Sequence, residues 1–279
     1  MGGGSSLPGP LAEALHGERV PKFLATLDAT GAPNVVPILS LDAADDRTLC
    51  FGEFLIQKTR ANLLADPRVC AAVLTEDLHV WTVRGRFREF VEGGPMADMI
   101  NRKDMFRYNP YLGISRVAVI DVEAVTGAWG LSRLEVALEL LPVKVAGQVW
   151  GRLPLPRSGP ALPPRVAEKF ARTQAVKFMA WRGADGYPDM VPAFSLSPGR
   201  GPSMLFGTRL FGDRLRTITG GARVAASVIT FDPVAYQVKG TYEGTTPTPA
   251  GAIGRLRVDQ VFSASPPLPG QQIEMHDRR

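Results

Sequence analysis

Residues 7–87 can be laid over residues 162–242 at a constant offset of 155, with about 24 of 81 positions identical and no gap. Whatever the first segment folds into, the second must fold into as well, with strands and turns of the same lengths. The identities fall where backbone geometry or packing is demanding. Gly31-Ala32-Pro33 recurs as Gly186-Tyr187-Pro188, Val36-Pro37 as Val191-Pro192, Ser40-Leu41 as Ser195-Leu196, Phe51-Gly52 as Phe206-Gly207, and Val83-Arg84-Gly85 as Val238-Lys239-Gly240. A period this long exceeds a solenoid unit, so each copy is expected to be a whole fold or one half of a pseudo-symmetric pair, that is, a fused dimer.

With 45% hydrophobic residues in a chain of 279, one large core or two ordinary ones can be buried. Cys50 and Cys70 are the only cysteines, too few for a disulfide framework, and both sit in apolar strand-like runs. Buried thiols in a reducing cytosol are expected. The start, Met1-Gly2-Gly3-Gly4-Ser5-Ser6, lacks the basic and apolar regions of a signal peptide, and no apolar run approaches the roughly 18 residues of a membrane span. A soluble, cytoplasmic protein is the expectation. The net charge of +5 is spread along the chain without an aromatic-basic RNA motif or zinc-finger spacing, which argues against nucleic acid. It suffices to attract an anionic small molecule.

Each copy opens with a helix-like stretch, 11–18 and 166–172, preceded by prolines that suit a helix entry. Residues 22–27 and 34–41, joined by a Gly-containing turn, read as a hairpin. A strand at 48–52 leads to a short helix at 59–65, which Asp66-Pro67 should end because a residue before proline avoids helical angles. Strands follow at 69–74 and 80–90, then a helix-like insertion at 96–106 that the second copy lacks. An apolar strand at 117–125 closes the first half, with 255–261 as its counterpart. The stretch 153–164 is dense in proline and unsuited to helix or central strand. The organisation expected is therefore a first domain at 7–140, a proline-rich linker at 141–161, a second domain at 162–264 and a loose tail at 265–279.

The order of these elements, with Gly31-Ala32-Pro33-Asn34-Val35-Val36-Pro37, Phe51-Gly52, Lys58-Thr59-Arg60-Ala61-Asn62, Asp66-Pro67-Arg68-Val69 and Val83-Arg84-Gly85, resembles the pyridoxamine 5'-phosphate oxidase-like, FMN-binding split-barrel family. The resemblance implies a mainly β fold with short helices (α+β), built as two tandem split β-barrels that form an intramolecular pseudo-dimer with FMN in a groove between the halves. It also implies that Val36, Pro37 and Ile38, with Phe51, Gly52 and Glu53, line the isoalloxazine ring.

A flavin phosphate calls for a cation, hydroxyl donors and free backbone N–H groups, and Lys58-Thr59 at a helix start offers all three. Arg60 adds charge, and Asn62, nearly one turn on, either reaches the phosphate or ties down the loop before it. The competing reading is a solvated lysine with Thr59 as an ordinary N-cap. The second copy departs here: Asp213-Arg214 replaces Lys58-Thr59, and Thr217 replaces Asn62. Asp213 reads as a helix N-cap, while Arg209, Arg214 and Arg216 could form a different anion site. One good FMN site and one altered one are expected. Arg84 and Lys239 either stabilise a reduced flavin or point outward as barrel-surface cations. Tyr108, Tyr111 and Trp129 are candidates to roof the flavin.

No catalytic side chain can be named. His16, His79 and His276 have neither metal-ligand spacing nor a triad order, and there is no GxGxxG after a strand and no P-loop. Flavin chemistry needs none of these, because the ring carries the hydride or electrons. The leading expectation is an FMN-dependent oxidoreductase acting on a small-molecule substrate. The alternatives are a deazaflavin F420-dependent reductase and a non-catalytic protein holding FMN or haem, the latter with His276 as ligand.

Overall fold

The computed structural model describes residues 6–54, 56–107, 113–150, 160–232, 234–249, 251–265 and 269–277. Its contacts divide the chain into two compact units, Met1–Gly31 with Val36–Gly130, and Ala32–Val35 with Leu131–Arg279. The architecture is mainly β with short helices.

The first sheet and its helices, which include all of β2 although residues 33–35 divide with unit 2, run α1 (Gly9–His16), β1 (Lys22–Leu27), β2 (Pro33–Pro37), β3 (Asp42–Ala43), β4 (Thr48–Gly52), α2 (Gln57–Ala65), β5 (Arg68–Leu74), β6 (His79–Glu92), α3 (Gly94–Asn101), α4 (Asp104–Arg107) and β7 (Arg116–Gly130). Its strands form one antiparallel sheet in the order β2-β1-β5-β6-β7-β4-β3. The sheet curls, since α1 packs on both β3 at one edge and β5 near the middle. Leu11, Ala14 and Leu15, spaced i, i+3 and i+4, turn one face of α1 into the core. There they meet Leu24, Phe51, Leu63, Val73 and Ile120. The helix-like insertion is two helices, α3 and α4, whose Ala97, Ile100 and Phe106 build a smaller core with Cys50, Ile114 and Val117.

Unit 2 runs α5 (Arg133–Trp150), β8 (Pro160–Ala161), α6 (Pro164–Ala171), β9 (Val176–Arg182), β10 (Pro188–Pro192), β11 (Ser197–Pro198), β12 (Ser203–Gly207), α7 (Gly212–Leu215), β13 (Arg223–Ile229), β14 (Ala235–Thr246), β15 (Ile253–Ser263), β16 (Gln272–Ile273) and β17 (His276–Asp277). The strand order is the same, β10-β9-β13-β14-β15-β12-β11. Its core holds Phe170, Phe178, Trp181 and Phe206.

The repeated motifs have physical explanations. Gly31 and Gly186 take positive φ, 80° and 83°, at the hairpin turns. Gly85 and Gly240 sit at register shifts where the long strand pairs β6–β7 and β14–β15 slip. A Cβ on Gly85 would lie 2.5 Å from the Asp121 carbonyl oxygen, and one on Gly240 would collide with that of Arg257. Ser40 and Ser195 each accept the N–H of the glycine that ends the fourth strand: Gly52 at 3.1 Å and Gly207 at 2.8 Å.

Several expectations change. β2 ends at Pro37, and the chain turns through 38–41, with the Leu41 N–H on the Ile38 carbonyl. Residues 133–150 form a single helix, although a first domain to 140 and a linker from 141 were expected. Ser132 and Glu135 start it by a reciprocal capping box, with the Glu135 N–H on Ser132 Oγ at 3.1 Å and the Ser132 N–H on Glu135 Oε2 at 2.7 Å. The tail expected to be loose is partly paired: Gln272 and Ile273 add to β15, and His276 pairs with Ala161, because free strand edges offer unpaired backbone groups. Residues 151–159 lie outside the described residues, as do Tyr108 and Tyr111.

Candidate functional site

In unit 1, Gly52, Glu53, Lys58, Thr59 and Asn62 of the expected site residues lie where β4 passes into α2. Helix α2 has Ile56 as N-cap, no side chain capping it and no acidic residue in its first turn. Lys58 is half-buried there and Thr59 is buried, so Thr59 is not the N-cap of the competing reading. Thr59, Asn62 and Leu63, spaced i, i+3 and i+4, face inward. Asn62 donates its amide N–H to Thr26 Oγ1 on β1 at 2.9 Å, which fastens α2 to the sheet. Arg60 pairs with Glu53 at 2.7 Å and lies 5.6 Å from the centre of the Phe90 ring. Glu53 also reaches Arg116 at 3.3 Å, and its N–H donates to the Arg116 carbonyl. Glu53 is thus the hub of an ion-pair network that joins β4, α2 and β7.

The expected ring-lining residues divide. Phe51 is fully buried in the main core and presents no face to a ligand, and Ile38 is in the same core with its N–H on the Lys22 carbonyl at 2.9 Å. Gly52 does permit close approach, but by the chain itself. Ile114 lies over it, its side-chain atoms 2.7–2.9 Å from where a Cβ would stand. Asn101 holds that residue in place with two hydrogen bonds of 2.8 Å, one from each end of its amide to the Ile114 backbone. Val36 and Pro37 are half-buried at the end of β2. Two residues before Val36 in the turn-strand motif, Asn34 is buried with neither polar atom of its amide hydrogen-bonded. That is an unusual cost for a native interior.

In unit 2 the counterpart of Thr59, Arg214, forms a bidentate pair with the counterpart of Asn34, Asp189; one of the two contacts, Nε to Oδ2, is 3.1 Å. The guanidinium expected to bind an exogenous anion is committed to a buried carboxylate. Asp213 is in the first turn of α7 and pairs with Arg216; the N-cap is Phe211. Lys239 does not point outward: it is 8% exposed, with Nζ 6.0 Å from the Phe262 ring centre. Arg84 and Trp129 are half-buried.

Two arrangements were not foreseen. In unit 1, Lys22 is fully buried and its Nζ has no hydrogen-bond acceptor. Burial, then the nearby charge of Lys103, lowers its pKa to about 7. Asp42 beside it pairs with Lys103 Nζ at 2.6 Å and His16 Nδ1 at 2.6 Å. Burial pushes the Cys50 thiol up to about 12, so it is no nucleophile. In unit 2 the equivalent Lys177 donates to the Leu196 carbonyl at 2.9 Å, with its pKa lowered by burial to about 8. The repeat of Lys22 as Lys177 inside an apolar strand was the sequence signal for this pair.

The second arrangement centres on Glu139 of α5, 4% exposed. Its Oε2 accepts the N–H groups of Arg209 at 3.0 Å and Leu210 at 3.3 Å, and its Oε1 lies 3.4 Å from Ser195 Oγ. A lone glutamate in the run Val136-Ala137-Leu138-Glu139-Leu140-Leu141 was the only hint. Burial raises its pKa against the lowering effect of these hydrogen bonds.

Among the described residues, no group of three or more His, Cys, Asp or Glu is placed to hold a metal ion, and no helix is long and apolar enough to cross a membrane. No protein-family profile and no curated protein matches the chain. Solved structures similar to part of it include an FMN-binding protein from Syntrophomonas wolfei (18% identity, TM-score 0.37, covering 44% of this chain and 86% of that one). An F420 reductase is 22% identical, with a TM-score of 0.35 over 45% of this chain and 100% of that one. HupZ from Group A Streptococcus is 21% identical, with a TM-score of 0.36 over 43% of this chain and 91% of that one.

Proposed function

We propose that the chain is an FMN-binding oxidoreductase whose flavin phosphate is held in unit 1 by Lys58 and the backbone N–H groups at the start of α2. The observation that carries the reading is the first turn of α2, which has no side-chain cap and no acidic residue and bears a lysine and a threonine. Such a turn has unsatisfied N–H groups and a positive dipole end to offer a dianion. Val36 and Pro37, half-exposed at the end of β2, supply flat apolar contact for the ring. Gly52 does not serve that purpose, since Ile114 covers it. A bound flavin would supply hydride or electron transfer to or from a small molecule. The roles assigned to this chain are to anchor the phosphate through Lys58 and the first-turn N–H groups, and to fix α2 through the inward-facing Thr59 and the Asn62–Thr26 and Arg60–Glu53 contacts.

The visible spectrum and the mass of the bound cofactor test this on the purified protein and on Lys58→Ala. Flavin bands at about 370 and 450 nm are expected in the parent protein. The lysine–phosphate bond is charge-assisted, so its loss should weaken FMN about 10- to 100-fold. Absence of flavin, a Soret band at about 400 nm, a deazaflavin mass, or flavin retained equally by Lys58→Ala would overturn the assignment.

A further inference from the structure

We propose that unit 2 contains an oxyanion-binding site, suited to a carboxylate or phosphate-type group, that the chain fills with its own Glu139. The site is made by the N–H groups of Arg209 and Leu210, 3.0 and 3.3 Å from Glu139 Oε2, and by the hydroxyl of Ser195, 3.4 Å from Oε1. Ser195 is oriented for this: its oxygen accepts the Gly207 N–H at 2.8 Å, which leaves its proton for the carboxylate. Gly207 makes the room, because a Cβ there would stand 2.7 Å from Glu139 Oε1 and 2.9 Å from the Glu139 carbonyl oxygen.

A buried carboxylate is costly unless it is hydrogen-bonded, and an ordinary helix–sheet contact would use an apolar residue. Every neighbour of Glu139 along the helix from Val136 to Leu141 is apolar. The charge is therefore matched to the loop, not to the packing of α5. Unit 1 has the same serine–glycine bond, Ser40 to Gly52, but covers that glycine with the apolar Ile114, so an anion over this glycine belongs to unit 2 and not to unit 1. A cavity of about 480 Å³ between α5 and α6 reaches Ser195, the hydroxyl of the cradle, and is also bordered by Leu140, Lys144, Glu168 and Leu205. The inference rests on unit 2 only and stands whether or not unit 1 takes a flavin.

Chemical rescue tests it. In the full chain, Glu139→Ala removes the internal anion, and thermal unfolding is followed in sodium acetate against sodium chloride at matched ionic strength and pH 7. Acetate is expected to raise the Tm of Glu139→Ala by about 2–4 °C while leaving the parent protein within about 1 °C. Adding Ser195→Ala should abolish most of that rise. If Glu139→Ala does not fold in chloride, recovery of the folded state in acetate carries the same meaning. Equal behaviour of Glu139→Ala in acetate and chloride, folded or not, overturns the proposal, as does a rise that Ser195→Ala leaves intact.

Discussion

Replacing Arg214 by threonine, the residue at the equivalent position of unit 1, should cost much more than replacing both partners of its ion pair. Arg214→Thr strips the bidentate guanidinium from Asp189, which is 6% exposed and keeps the Met190 N–H at 2.9 Å among its partners. Removing one side of a fully buried pair costs about 3–5 kcal/mol. The Arg214 side chain is 21% exposed and Asp189 keeps a hydrogen bond, so the expected loss is about 2–4 kcal/mol. The double variant Asp189→Asn/Arg214→Thr recreates the Asn34/Thr59 combination and removes the uncompensated charge, so it should lie within about 1 kcal/mol of the parent. For a chain of this size, 1 kcal/mol moves Tm by about 2–4 °C, so the single variant should melt roughly 4–16 °C lower and the double close to the parent. Urea denaturation of the four proteins in the cycle gives the coupling energy directly. A coupling below about 0.5 kcal/mol would refute the view that Arg214 serves Asp189.

Three further outcomes follow from particular contacts. The lowered pKa of Lys22 means that, between pH 7 and its ordinary value of 10.5, the unfolded chain holds a proton that the folded chain does not. Stability should therefore rise from pH 7 to pH 9 by roughly 2–3 kcal/mol from this group. Lys177 adds a smaller rise above about pH 8. Urea midpoints of Lys22→Met should show only that smaller rise; an unchanged slope would disprove the burial argument. Gly85→Ala should cost roughly 2–3 kcal/mol, because its Cβ meets the Asp121 carbonyl at 2.5 Å, whereas Gly9→Ala, with no atom within 4 Å, should be nearly neutral. Equal thermal stability of those two variants would remove the explanation for the repeated Val-Arg/Lys-Gly motif.

Much of the fold was legible because it is carried by local patterns. The strands 22–27 and 48–52 could be read to the residue, and Asp66-Pro67 ends α2 with extended backbone as the proline rule requires. Helix α5 was also legible in principle, through the Ser132–Glu135 capping box, but its apolar run merged with the proline-rich stretch after it. The short tail strands were not legible, since two residues carry no periodicity.

Of the proposed site, the sequence made legible only that a cation and a hydroxyl stand at a helix start. A cation and a hydroxyl at a helix start are a local pattern, and Lys58 and Thr59 stand where that pattern put them. What surrounds the apolar positions is decided by residues distant in the chain. Phe51-Gly52 and Phe206-Gly207 are the same pair of letters, yet Ile114 covers one glycine and Glu139 the other. Both come from segments outside the repeat, an insertion in the first case and a connecting helix in the second. Repetition alone determined that two like sheets form, because turns, bulges and strand lengths are local properties. Tertiary packing alone decided which of the repeated positions are sealed and by what chemistry, because only contacts between remote segments set the burial and the charge around each one.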